Sequence, residues 1–351
     1  MKKRIASKPS DVSRDWNRRA FIRLARQGAT SGAVFSALPA ICHLAARAQT
    51  ATGIRVAFIS PGQRPTPDHP SPMLNGFQEG LRALGWTEND KLLIEARFAE
   101  GQFQRIPEYI AELVRLNVKA ICVVGSQAAA AVKQETTIPL VMIGDPVGTK
   151  LAASADRPGG TVTGLTSVSQ ELCSKRLKVL KDLEPKLIRA AVVANPDHPA
   201  MPGVVRMTRT AAETLSIDLV AVDVRTEKDL EGAFATMIKE KAEGFVYYPA
   251  PMSDSRVSQV ADIAMQRRLL WSDEVPRNAV LGALVSYGPD YPDLARRAAG
   301  YVDKILKGTS PAALPIGMPT AFELVVNLRT AQGLGLTIPE AVLSEATNVV
   351  R

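Results

Sequence analysis

Three cysteines and three histidines in 351 residues leave little material for metal or nucleophile chemistry. Past residue 48 only Cys122, Cys173, His69 and His198 remain. Cys122 lies in an apolar run and Cys173 in an amphipathic segment, so the reading is two buried thiols and no bridge. Both histidines sit in Pro-rich stretches, "DHPSP" and "DHPAMP". There is no HExxH, no zinc-type Cys/His cluster and no G-x-S-x-G nucleophile elbow. "GDPVGTK" lacks the GxxxxGK[ST] spacing of a phosphate loop. "RPGGTVTG" is not GxGxxG, and it precedes a short strand instead of leading from one into a helix. No catalytic, metal-ligating or cofactor-binding residue is assigned. Low-complexity tracts and repeats are missing too.

The body also lacks net charge. Ten of the 43 Lys/Arg and two of the 35 Asp/Glu fall in residues 1–48, so that segment carries the whole formal charge of +8 and the rest is neutral. A neutral body offers no footprint for a phosphate backbone, and no nucleic-acid partner is expected. The basic start ends at "NRRAFIR", followed by "GATSGAVFSALPAICHLA" and "ARA". That order is an n-region, an h-region and a small-x-small cleavage site, with a mature start near Gln49. Arg18-Arg19 before Ala20-Phe21-Ile22 resembles the twin-arginine export motif. The h-region holds Gly, Ser, Pro and His, far short of the ~18 consecutive apolar residues of a membrane span. Residues 1–48 are therefore read as an export signal peptide, and the destination as the periplasm.

What is there, from residue 54 on, is alternation. Short apolar runs such as "IRVAFIS" (54–60), "KAICVV" (119–124) and "IPLVMIG" (138–144) alternate with amphipathic segments such as "FQRIPEYIAELVRLN". A second set starts near 170, with "IRAAVVAN" (188–195), "EGFVYYP" (243–249), "LLWS" (269–272) and "GALVSYG" (282–288) as strands. "YPDLARRAAGYVDKILKG" (291–308) is a long amphipathic helix. Strands alternating with helices imply parallel sheets with right-handed crossovers. The fold class is α/β, with two doubly wound lobes in tandem.

Ligands of such sheets sit outside the carboxyl ends of the strands. The residues there are Ser60, Gly125-Ser126-Gln127, Asp145-Pro146, Thr166-Ser167, Asn195-Pro196, Tyr247-Tyr248, Trp271-Ser272-Asp273 and Ser286-Tyr287-Gly288. Hydroxyls, amides and aromatics dominate, and no basic residue stands among them. The set suits a neutral or zwitterionic small ligand stacked on Tyr247, Tyr248, Trp271 or Tyr287. The amides that open the helix at Ser126 are expected to receive a carboxylate, and Asp145 an ammonium. The candidate ligand-binding residues are Ser60, Gly125, Ser126, Gln127, Asp145, Pro146, Thr166, Asn195, Tyr247, Trp271 and Tyr287. Each also reads as an ordinary turn former or cap.

Several stretches in a fixed order carry a resemblance: "FAEGQFQRIPEYIAELV", "GDPVGTKLAAS", "ELCSKRLKVLKDLEP", "VVANPDHP", "VSYGPDYPDLARRAAGYVDKILKG" and "PTAFELVVNLRTAQGLGLTIP". Together they resemble the ABC-transporter substrate-binding protein family, the group that includes tryptophan- and tyrosine-type binding proteins. The resemblance implies the type I periplasmic-binding-protein fold, with a hinge crossed three times. It implies a first lobe of 53–165 plus 289–309 and a second of 166–288 plus 310–351. The family's binding positions match at Ser60, Gly125-Ser126, Asp145-Pro146, Asn195-Pro196 and Ser286-Tyr287-Gly288. Where relatives show a Gly-Gly-Leu-Met-type run before the Ser-Tyr-Gly, this chain has "VLGALVSYG". The preceding "LLWSDEVPRNAV" also departs, on the second-lobe side of the cleft.

The resemblance implies a periplasmic solute-binding protein without chemistry. It captures a small ligand, an amino acid or aromatic compound, and docks on an ABC permease. It is a monomer that meets the membrane only through that permease. The alternatives are a ligand-sensing module for a chemoreceptor or sensor kinase, and an exported α/β enzyme.

Overall fold

The computed structural model describes residues 53–88, 91–168, 171–248 and 254–351. The expected export signal, 1–48, lies outside the described residues. The chain opens with β1 (Ile54–Ser60), α1 (Pro72–Ala83), β2 (Leu92–Phe98), α2 (Ile106–Arg115), β3 (Ile121–Val124), α3 (Ser126–Glu135), β4 (Leu140–Gly144) and β5 (Val162–Thr166). These five strands form one parallel sheet in the order β2-β1-β3-β4-β5. Strand side chains alternate between faces, and both faces are covered. Val56 and Phe58 of β1 therefore pack with Phe77 and Leu81 of α1, while Ala57 and Ile59 pack with Ile110 of α2 and Val132 of α3. This double burial explains the near-continuous apolar runs.

The second set follows as α4 (Cys173–Leu183), β6 (Arg189–Ala194), α5 (Met201–Thr214), β7 (Asp218–Asp223), α6 (Leu230–Lys239), β8 (Gly244–Tyr248), α7 (Asp254–Gln266), β9 (Leu270–Asp273), α8 (Pro276–Val280) and β10 (Val285–Pro289). The chain then leaves for the first sheet as α9 (Tyr291–Leu306). It returns as β11 (Phe322–Asn327), α10 (Leu328–Leu334), α11 (Glu340–Glu345) and β12 (Asn348–Val350). The second sheet has the order β12-β11-β10-β9-β8-β6-β7.

Helix α9 belongs to the first sheet by packing. Leu294, Ala295, Ala298, Ala299 and Val302 are buried with Phe58, Phe77 and Leu165. It lies so close to α1 that a Cβ on Gly80 would stand 2.3 Å from the Arg296 carbonyl oxygen and 2.7 Å from the Ala299 Cβ. Asp290 caps α9, its side chain accepting from the Asp293 N–H, with proline at the start of the first turn. The return segment reaches further than expected. Leu314 accepts from the Thr163 hydroxyl at 2.6 Å, and Gly317 exchanges bonds with Gly164 and Thr166. The stretch 310–317, expected in the second lobe, is thus pinned to β5, and the last crossing comes after it.

One pairing departs from the expected parallel pattern, and β11 and β12 both run against the other strands of their sheet. β11 pairs antiparallel with β10, Phe322 standing opposite Pro289. The cause is the route: α9 starts at the carboxyl end of β10, and the chain comes back to that same end, so it enters the sheet running the other way. Among the described residues the chain passes between the sheets three times. Cys122 and Cys173 are both free thiols and both buried.

Candidate ligand-binding site

At the end of β3, Gly125 adopts φ 86°, and α3 begins without a side-chain cap. The first helical amides of any helix lack an intrahelical acceptor, and here the first bond back is from Ala129 N–H to Gly125. The Ser126 hydroxyl does not cap the helix. It accepts from the Asp145 N–H at 3.0 Å and so ties the turn after β3 to the turn after β4. Gln127 has a buried Oε1 without a partner. Asp145 builds its own turn: Oδ1 accepts from the Gly148 N–H at 2.8 Å and its carbonyl from the Thr149 hydroxyl at 2.6 Å. Pro146 beside it is buried. Ser60 Oγ accepts from the Gly62 N–H, and Thr166 Oγ1 from the Val168 N–H.

On the second sheet Asn195 shapes the turn after β6, its Oδ1 accepting from the Asp197 N–H and its carbonyl from the His198 N–H. His198 Nδ1 in turn accepts from the Ala200 N–H at 3.2 Å. Burial holds the His198 imidazole below its ordinary range, while the Glu274 and Asp145 carboxylates pull it up. Glu274 follows β9, whereas Asp145 follows β4. One carboxylate from each sheet thus lies near enough to act on the His198 imidazole.

Beside Glu274 lies Arg176 of α4, with 0% exposure. Its Nε–H donates to the Tyr287 carbonyl at 2.8 Å, its Nη1 stands 3.6 Å from Glu274, and its guanidinium lies 5.2 Å from the Tyr248 ring centre. Burial opposes the charge, yet the Tyr248 and Glu274 fields keep the guanidinium protonated. The helix is also fixed to β9, since the Ser272 hydroxyl donates to the Arg176 carbonyl.

The four expected aromatic faces are not brought together, and Tyr248 is 1% exposed under the Arg176 guanidinium. Trp271 stacks on Phe245 at 5.8 Å and 12°, and Tyr247 packs edge-on against both. These rings belong to a core cluster with Phe234, so they are not free stacking faces. The reason is strand alternation: Tyr247 and Trp271 share the face covered by α6 and α7. Tyr287 is half-buried, with its ring 6.2 Å from Phe322 and near the Lys175 ammonium.

A family model described as "ABC transporter substrate binding protein" matches residues 68–350. The chain belongs to that family. It is the solute-capturing component of an ABC transport system. This substrate-binding protein is 22% identical over 275 residues to a tyrosine-binding protein of Clostridioides difficile, covering 77% of this chain and 79% of that one. A conserved domain protein of Vibrio cholerae superposes with a TM-score of 0.76 at 27% identity, over 84% of this chain and 99% of the other. An ABC domain from Streptococcus pneumoniae in complex with L-Trp gives 0.75 at 22% identity, over 85% and 100%. The fold is that of the type I periplasmic binding proteins, as the resemblance implied.

Sequence reasoning missed two groups of the substrate-binding protein's cleft and passed over a third. Arg176 was hidden in a helix, but its spacing from Cys173, Leu177 and Leu180 puts it on the buried face. His198 was read as a loop residue, although it lies only four positions past the end of β6. Asp273 was seen at a strand end and not selected. It is 1% exposed; its Oδ1 accepts from the Val275 N–H at 2.8 Å and from Asn278 Nδ2 at 3.0 Å.

Proposed function

We propose that this substrate-binding protein captures an amino acid, or a related small aromatic compound, between two lobes that close on it. One lobe is the first sheet with α9 and the stretch to 317; the other is the second sheet. The observation that carries the reading is the type I binding-protein fold with polar turns after the strands of both sheets, Asp145 of one and Glu274 of the other both acting on His198. The groups there are hydroxyls, amides and helix-start amides, which suit a polar or zwitterionic headgroup. Ser60, Gly125, Ser126, Gln127, Asp145, Pro146, Thr166, Asn195 and Tyr287 stand at these ends. Ser126 and Asn195 act through the turns they hold. Tyr247 and Trp271 support the ends of β8 and β9 from the core cluster. The tyrosine-binding relative and the neighbour in complex with L-Trp favour an aromatic amino acid.

The protein works as a monomer in the periplasm, exported by the twin-arginine-type segment at 1–48, and hands its ligand to an ABC permease without chemical change. No helix of the described residues is long and apolar enough to cross a membrane, which accords with membrane contact through the permease alone. Native mass spectrometry of protein purified from the periplasm tests the reading. A retained mass of a single amino acid, released on mild unfolding, is the expected result. A retained sugar or nucleotide would refute the ligand class.

A further inference from the structure

We propose that Asp273 is the receptor for a protonated amine of the ligand, with Oδ2 as the accepting oxygen. The proposal deepens the reading above and rests on ligand binding at the strand ends. Asp273 is the last residue of β9, at the carboxyl edge of the second sheet. Its carboxylate plane is fixed by the two donors on Oδ1, Val275 N–H and Asn278 Nδ2. Oδ2, on the same 1%-exposed side chain, is buried and has no hydrogen-bond partner among the described residues. A buried carboxylate oxygen left without a donor is costly, and a ligand ammonium is the group that relieves it most.

Asp145, the ammonium acceptor expected from the sequence, spends Oδ1 on the Gly148 N–H. Arg176 is turned to Glu274 and to the Tyr287 carbonyl. Tyr247 lies directly beside Asp273 on β8.

Burial pushes the Asp273 carboxyl up to about 7; the Val275 amide and Asn278 pull it down, and the Glu274 carboxylate pushes it further up. The charged and titratable groups that face it are Glu274 on its own strand end, Arg176 on α4 and Tyr247 on β8. A proton on Asp273 competes with a ligand ammonium, so affinity for an amine falls as the pH drops below about 7 and is flat above it until the ligand amine itself loses its proton.

The test is calorimetric titration of the full chain with L-tryptophan and L-tyrosine, and with their amine-free analogues indole-3-propionic acid and 3-(4-hydroxyphenyl)propanoic acid. Wild type should bind one amino acid about 100-fold or more tighter than its analogue. Asp273→Asn keeps Oδ1 and its two donors, so its melting temperature should not fall. It should weaken the amino acid about 100-fold and bring the analogue within a few-fold of it. Should Asp273→Asn fail to fold, the wild-type pH profile decides: about a tenfold loss of affinity per pH unit below 7 supports the role, and a flat profile overturns it. Unchanged affinity in a folded Asp273→Asn, or equal binding of the amine-free analogue, also overturns it while leaving solute capture intact. A wild type that binds a sugar and no amine overturns both this role and the amino-acid reading; one that binds no solute at all sinks the proposed function itself.

Discussion

Arg176 shows how a single side chain can organise the floor of the cleft. Its fork joins the Tyr287 carbonyl on β10 to Glu274 after β9, under the face of the Tyr248 ring. Replacing it with methionine leaves Glu274 beside a buried vacancy of charge and strands the Tyr287 carbonyl. Breaking such a pair costs about 3–5 kcal/mol, so the urea midpoint of Arg176→Met should fall sharply. Arg176→Lys should recover little, because one ammonium cannot serve both acceptors in the guanidinium geometry. Arg176→Met combined with Glu274→Gln should recover more than half the loss. At this scale the sequence was readable for turn chemistry and blind to orientation. Ser126 and Asn195 were seen as cap or contact; the structure uses the Ser126 oxygen to hold the neighbouring turn at Asp145 and the Asn195 oxygen to hold its own turn, at 3.0 Å each. Tyr247 and Trp271 were read as stacking faces because a strand of a parallel sheet is apolar on both sides, and sequence alone does not say which side is core.

Among the elements, α9 decides the architecture, because it carries the chain back to the first sheet. Its closeness to α1 depends on Gly80. Alanine there gains about 1 kcal/mol of helix propensity. Its Cβ, however, would meet a backbone carbonyl at 2.3 Å, and a carbonyl in the middle of a helix does not move freely. Overpacking of this kind costs about 1–3 kcal/mol, so Gly80→Ala should be destabilising by about 1 kcal/mol or more in urea unfolding. A rise in the midpoint would show that the two helices are looser than described. The elements themselves were largely legible. Apolar runs at 54–60 and 138–144 became β1 and β4, and the amphipathic 291–308 became α9. The edge of the second sheet was not. β12 has three residues and α11 six, too short for periodicity to register. The antiparallel sense of β11 follows from the point where the chain re-enters, which no local pattern encodes.

At the scale of residues 53–351, the chain builds two sheets joined by three passages, an arrangement set by topology. Alternating strands and helices in two tandem sets made it readable in advance. The identity of the ligand was less so, because it depends on orphaned atoms such as Asp273 Oδ2 that only packing reveals. Solute capture has a thermodynamic signature independent of any single contact. A ligand that binds only the folded state raises stability by about 4 kcal/mol at a thousandfold excess over its dissociation constant. The most direct measurement is a thermal-shift screen of the protein against amino acids, sugars, nucleosides and aromatic acids. Stabilisation by an aromatic amino acid, growing with the logarithm of its concentration, is the predicted result. Tight stabilisation by a neutral sugar with none by any amino acid would contradict the account.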